Sequence, residues 1–166
     1  MGPNELRLAE AQKIDGRWHV EILDDRTTYN GEQMWASEAA FLKAQRRMCK
    51  NQTNSLFFVH GFNTDFGDAL ESAYRIEQLY NLEVTLFTWP SNGGGAIEGL
   101  SSYQDDKRDA VLSIGALDRC FEKLAGYFIK YADVACKRKF NLAMHSMGNY
   151  LFKNLLKSSI YQGETL

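Results

Sequence analysis

The sequence has little proline, only two residues in 166, and only three cysteines and three histidines. Two prolines exclude a proline-rich or collagen-like segment. The cysteines, Cys49, Cys120 and Cys136, are an odd number and show neither CxxC nor Cys/His spacing. They predict free thiols, buried or half-buried, in a reducing compartment, and no metal site. No charge of either sign is in excess, with 19 Lys and Arg against 21 Asp and Glu. That balance argues against nucleic acid or an anionic membrane as partner. The clusters "KAQRRMCK" (Lys43 to Lys50) and "KRK" (Lys137 to Lys139) read as a solvated helix end and the approach to a strand. No apolar run approaches the ~20 residues of a membrane span. The opening "MGPNELRL" has neither a basic n-region nor an apolar h-region, and Leu6 stands where a myristoylation signal needs Ser or Thr. The expected location is cytoplasmic.

What is present is ordinary globular composition, in enough chain for one domain. Leu6 to Gln12 and Trp18 to Leu23 alternate around Asp15-Gly16, which predicts a β-hairpin. Helix formers run from about Glu32 to Cys49. "SLFFVHGFN" is a continuous apolar run closed by a glycine turn, the pattern of a strand buried on both faces. Helical spacing follows from Asp68 to Tyr80, with Asp65 and Asp68 suited to cap it. Then come a strand, Leu82 to Trp89, and a glycine-rich loop, Ser91 to Gly99. A long apolar stripe from Tyr103 to Tyr131 predicts one helix, with Gly115 and Gly126 as weak points. Asp105, Asp106 and Asp109 suit the dipole at its start. "KFNLAMH" is a further strand and Met147 to Lys157 a further helix. The alternation predicts α/β architecture: a mostly parallel sheet flanked by helices in three layers, after an N-terminal hairpin. No repeat or linker divides the chain.

Two stretches carry chemistry. In "LAMHSMGN", Ser146 falls where a strand meets a helix. A serine on that tight turn stands above the sheet edge, beside the positive end of the helix dipole. The pattern G-x-S-x-G is met at Gly148, and Met144 replaces its first glycine. In "FFVHGFNTDF", a His-Gly turn follows an earlier strand. Such a turn can offer one oxyanion N–H while the residue after the nucleophile offers the other. By position these donors are Phe62 and Met147, with His60, Gly61, His145 and Gly148 supporting the two turns. Gly93-Gly94-Gly95 matches neither GxGxxG nor a Walker lysine, so it implies no nucleotide, and no cofactor is expected.

The set "FVHGFN", "TWPS" followed by glycines, "YQDD" and "LAMHSMGN" resembles the α/β-hydrolase superfamily, and more closely a bacterial branch described as α/β hydrolases of unknown function. The resemblance runs from about Leu6 to the end. It implies a serine hydrolase acting on an ester or related acyl bond of a small molecule, with Ser146 as nucleophile. Trp89 and Tyr103 become pocket candidates.

The resemblance also implies a triad in the order Ser, Asp/Glu, His, yet no histidine follows Ser146. Of the three present, His19 lies on the predicted hairpin, His60 braces the oxyanion turn, and His145 points away from Ser146 on a strand. The expectation is therefore a single, incomplete hydrolase domain over residues 1–166, truncated after the nucleophile helix. Its acid and base would come from further sequence or a complementing chain. The strand of Ser146 would be a bare edge that invites a homo-oligomer. The competing expectation is a non-catalytic binding or structural module on the same scaffold.

Overall fold

The computed structural model describes residues 4–91, 99–133 and 136–158. Two antiparallel hairpins come first: β1 (Ala9–Ile14) with β2 (Arg17–Ile22), and β3 (Arg26–Tyr29) with β4 (Glu32–Trp35). Each turns on a dipeptide in the left-handed region, Asp15-Gly16 and Asn30-Gly31, as a two-residue hairpin loop requires. The second hairpin corrects the expected helix start. Glu32 to Trp35 is strand, and α1 runs Ala36–Asn51. Helix-forming composition at Glu32 and Gln33 is overridden by the Asn-Gly turn before them.

The rest alternates. β5 (Asn54–Val59), α2 (Phe66–Tyr80) and β6 (Leu82–Phe87) are followed by α3 (Gly99–Leu112) and α4 (Ile114–Lys130). β7 (Phe140–Met144) and α5 (Met147–Lys157) close the described chain. The parallel sheet has the order β6-β5-β7. β5 is central and buried from Ser55 onward, which is why its sequence is apolar without alternation. Its side chains still divide by face. Leu56 and Phe58 pack with Ala73 and Ile76 of α2, whereas Phe57 and Val59 pack with α3, α4 and α5 through Ala110, Leu117, Leu151 and Leu155. Phe57 has no exposed surface and touches the rings of Phe87 and Phe121. Truncating such a residue to Ala costs about 3–5 kcal/mol. These are the helix layers on both faces of a parallel sheet that the alternation predicts.

The long helix expected from Tyr103 to Tyr131 is two. α3 ends at Leu112 and α4 begins at Ile114, with the buried Ser113 between them donating its hydroxyl to Asp109 O at 2.8 Å. A serine bonded back to the preceding turn competes with the helix ladder and ends it there, while Gly126 stays inside α4. Asp65 caps α2, accepting from the Asp68 N–H at 2.8 Å.

Two of the three thiols are not free. Cys49, near the end of α1, and Cys136, shortly before β7, form a disulfide, leaving Cys120 as the free cysteine. The Cys136 N–H also donates to the buried Gln45 side chain at 3.0 Å, so a hydrogen bond and a disulfide join the same two segments. Partners 87 positions apart leave no local spacing to read. Among the described residues no helix is long and apolar enough to cross a membrane. The triple glycine at 93–95 lies outside the described residues.

Candidate active site

The β7–α5 junction is tight. Ser146 has φ 49° and ψ −117°, a conformation that glycine adopts freely and other residues only under strain. Three bonds hold it. The His145 N–H donates to Val59 O at 2.9 Å, the Gly148 N–H to His145 O at 2.8 Å, and the Asn149 N–H to Ser146 O at 3.0 Å. The Asn149 side chain also donates back to Met144 O at 2.6 Å. Met144, where the usual pattern has glycine, is half-buried against the core instead of obstructing the turn. Ser146 is exposed, while Met147 and Gly148 behind it are buried.

The His-Gly turn at the end of β5 lies against this junction. A Cβ placed on Gly61 would come 2.7 Å from His145 Nδ1 and 2.8 Å from Ser146 Cβ. A Cβ on Gly148 would stand 2.9 Å from the carbonyl oxygens of both Val59 and His60. Real β-carbons do not approach that closely, so both positions require glycine for contact rather than for dihedral freedom. The two turns named from the sequence are in contact in space.

His60 is fixed from both ring nitrogens. The Trp89 N–H can only donate, so His60 Nε2 accepts from it at 3.2 Å. His60 Nδ1 then carries the proton and donates to Gly61 O at 3.0 Å. Gly61 C=O and the Phe62 N–H belong to one planar trans peptide and point in opposite directions, so gripping the first aims the second. Trp89 completes the brace, its indole donating to His60 O at 3.1 Å and its ring stacked on the imidazole at 5.3 Å and 2°. Trp89 is thus a buried brace, 4% exposed. Burial pushes the His60 pKa below its ordinary value, which suits an imidazole held neutral. Phe62 is half-buried and meets Tyr103 edge to face at 5.4 Å, with Tyr103 exposed. Among the described residues no loop or cap hydrogen bond takes the N–H of Phe62 or of Met147.

A family comparison now bears on this arrangement. The model for an alpha/beta hydrolase of unknown function (DUF900) matches residues 36–164. The chain belongs to this family. No curated protein and no solved structure matches it. The DUF900 match spans every site residue above and leaves out both N-terminal hairpins. It establishes an α/β-hydrolase domain and carries no substrate with it.

The histidines of this DUF900 chain divide as follows. His19 is exposed on β2, His60 is locked in the brace, and His145 lies over Gly61. Among the described residues none is hydrogen-bonded to the Ser146 hydroxyl. Among the described residues no group of three or more His, Cys, Asp or Glu is placed to hold a metal ion. Sequence reasoning gave no role to Asn149, Thr64 or Ser91, and gave Asp106 only the helix dipole. Ser91 ends "TWPS" and Asp106 ends "YQDD", so both stood inside quoted motifs, but their partners are distant in sequence.

Proposed function

We propose that this chain is the nucleophile-bearing part of a serine hydrolase that acts on an ester or related acyl bond. The observation that carries this reading is the strained Ser146 backbone, held on a strand-to-helix turn in contact with the Gly61 turn. Strain of ~1–3 kcal/mol at a non-glycine residue persists where surrounding structure imposes it, and it gathers at functional sites. Ser146 Oγ attacks the acyl carbon and the carbonyl π electrons move onto oxygen. The N–H groups of Phe62 and Met147 receive that oxyanion, and the hydroxyl proton passes to a base. The expelled alcohol or related group leaves as the acyl-enzyme forms, and water releases the acid.

His60 cannot be that base, because its Nε2 lone pair is committed to Trp89 and its Nδ1 proton to Gly61. The base and its acid partner are proposed to come from further sequence or from a complementing chain. Loss of the base lowers turnover by up to about a millionfold. The chain by itself is therefore expected to be nearly inert.

The test is reaction of the natural gene product with a fluorophosphonate, read by intact mass. One phosphonyl adduct on the Ser146 peptide, absent from Ser146→Ala, supports the reading. The same spectrum shows whether the natural product is heavier than 166 residues. The absence of any histidine bonded to Ser146 favours a second reading, a binding module on a hydrolase scaffold. A full-length product that takes no label even with added cell extract would favour that reading instead.

A further inference from the structure

The brace at His60 holds only one side of the Gly61–Thr64 turn. We infer that Asp106 is a positioning residue for the other side, acting through Ser91; this rests on the reading of Ser146 and its oxyanion turn given above. Asp106 lies well inside α3, seven residues past Gly99, with no exposed surface, whereas the neighbouring Asp105 is exposed. It is therefore not the solvated helix-dipole residue that its sequence position predicts. Burying a carboxylate is costly unless hydrogen bonds compensate it.

Those bonds lead to the turn. Ser91 Oγ lies 3.1 Å from Asp106 Oδ2 and 3.3 Å from the Thr64 N. An amide N–H only donates, so Ser91 Oγ accepts from Thr64 and its one proton goes to Asp106. The direction of the chain is thereby set: Thr64 N–H to Ser91 hydroxyl to Asp106 carboxylate. Each bond in such a series polarises the next. Thr64 passes the restraint on, its own hydroxyl donating to Phe62 O at 3.1 Å. Both peptide planes flanking Phe62 are thus gripped, the first by His60 through Gly61 O and the second by Thr64 through Phe62 O. Between them sits Asn63 at φ 53°, in the left-handed region. The two anchors come from different elements, β5 with Trp89 on one side and α3 on the other.

The experiment is amide hydrogen exchange by mass spectrometry on the full chain, comparing the peptide over 60–66 with that over 54–59. Asp106→Ala and Ser91→Ala should each speed exchange over 60–66 by ~10-fold, the effect of about one net hydrogen bond, and leave 54–59 unchanged. Combining them should add nothing, since both cut one chain. Asp106→Asn keeps a carbonyl acceptor for Ser91 and should restore most of the protection. Where fluorophosphonate labels Ser146, its rate should follow the same order across the variants. Unchanged exchange over 60–66 in either alanine variant would overturn the inference. So would an equal rise over 54–59 and 60–66, which marks plain loss of packing. If Asp106→Ala does not fold, Ser91→Ala alone decides between these outcomes. A natural gene product that takes no label even with added cell extract removes the hydrolase reading but leaves the exchange result to decide the role of Asp106.

Discussion

A β-carbon on Gly61 would stand 2.8 Å from Cβ of Ser146. The His60-Gly61 turn and the turn that carries Ser146 are therefore in direct contact, and each limits what the other can hold. Gly61→Ala must push Ser146 and the His145 ring outward. The expected result is a ~100-fold slower reaction of Ser146 with fluorophosphonate, the usual effect of about 1 Å of misplacement, together with a loss of about 1–3 kcal/mol of stability from overpacking. Gly148→Ala would meet two backbone carbonyls, which yield less than side chains. It should destabilise more than Gly61→Ala in urea unfolding.

The backbone of Ser146 gives a second test, one that separates strain from chemistry. Ser146→Gly removes the hydroxyl and relieves a positive φ, whereas Ser146→Ala removes the hydroxyl alone. Both should fail to label. The glycine variant should be more stable than the alanine variant by about 1–2 kcal/mol in urea unfolding. Equal stabilities would mean the turn is not strained.

His60 makes folding depend on pH. Its folded pKa lies below the unfolded value of about 6.5, because burial disfavours the imidazolium. Between those two values the unfolded chain binds more protons than the folded one, so stability rises with pH in that window. Its contribution is fully present above about pH 6.5 and is lost as pH falls toward the folded value. Urea unfolding at acid and neutral pH should show this slope in the wild type and a smaller slope in His60→Gln.

The Cys49–Cys136 disulfide closes a loop of 87 positions. On the chain-entropy model, reducing it or making Cys49→Ser should cost about 4.6 kcal/mol, read from guanidinium unfolding with and without reductant. A non-reduced digest should yield the two linked peptides, and Cys120 should alkylate only slowly. Burial holds its thiol up at about 11.

β7 lies at one edge of the described sheet, with Phe140 and Leu142 part-exposed. An apolar edge strand is a template for pairing. The chain should associate as concentration rises in sedimentation velocity. Leu142→Lys, a charge of the kind that natural edges carry, should return it toward monomer.

Much of this was legible locally. Apolar runs mark β5 and β7, the Asp15-Gly16 turn marks the first hairpin, and the span of α5 is read without error from its spacing. These follow from period and turn chemistry, which act over a few residues. The second hairpin was equally legible in Asn30-Gly31, but the helix formers after it dominated the reading. The break at Ser113 was hidden because one apolar stripe runs across both α3 and α4.

The site divides the same way. Ser146, the His60-Gly61 turn and Gly148 are set by motif, since a strand-turn-helix with those residues needs no distant partner to be recognised. That Gly61 touches Ser146, that Trp89 is a brace, that Cys49 meets Cys136 and that Asp106 is buried against Ser91 were decided only by the fold. Each joins residues from 15 to 87 positions apart. Sequence patterns record which face a residue presents. Which residue of another element meets it there depends on how strands and helices pack, and no local pattern carries that.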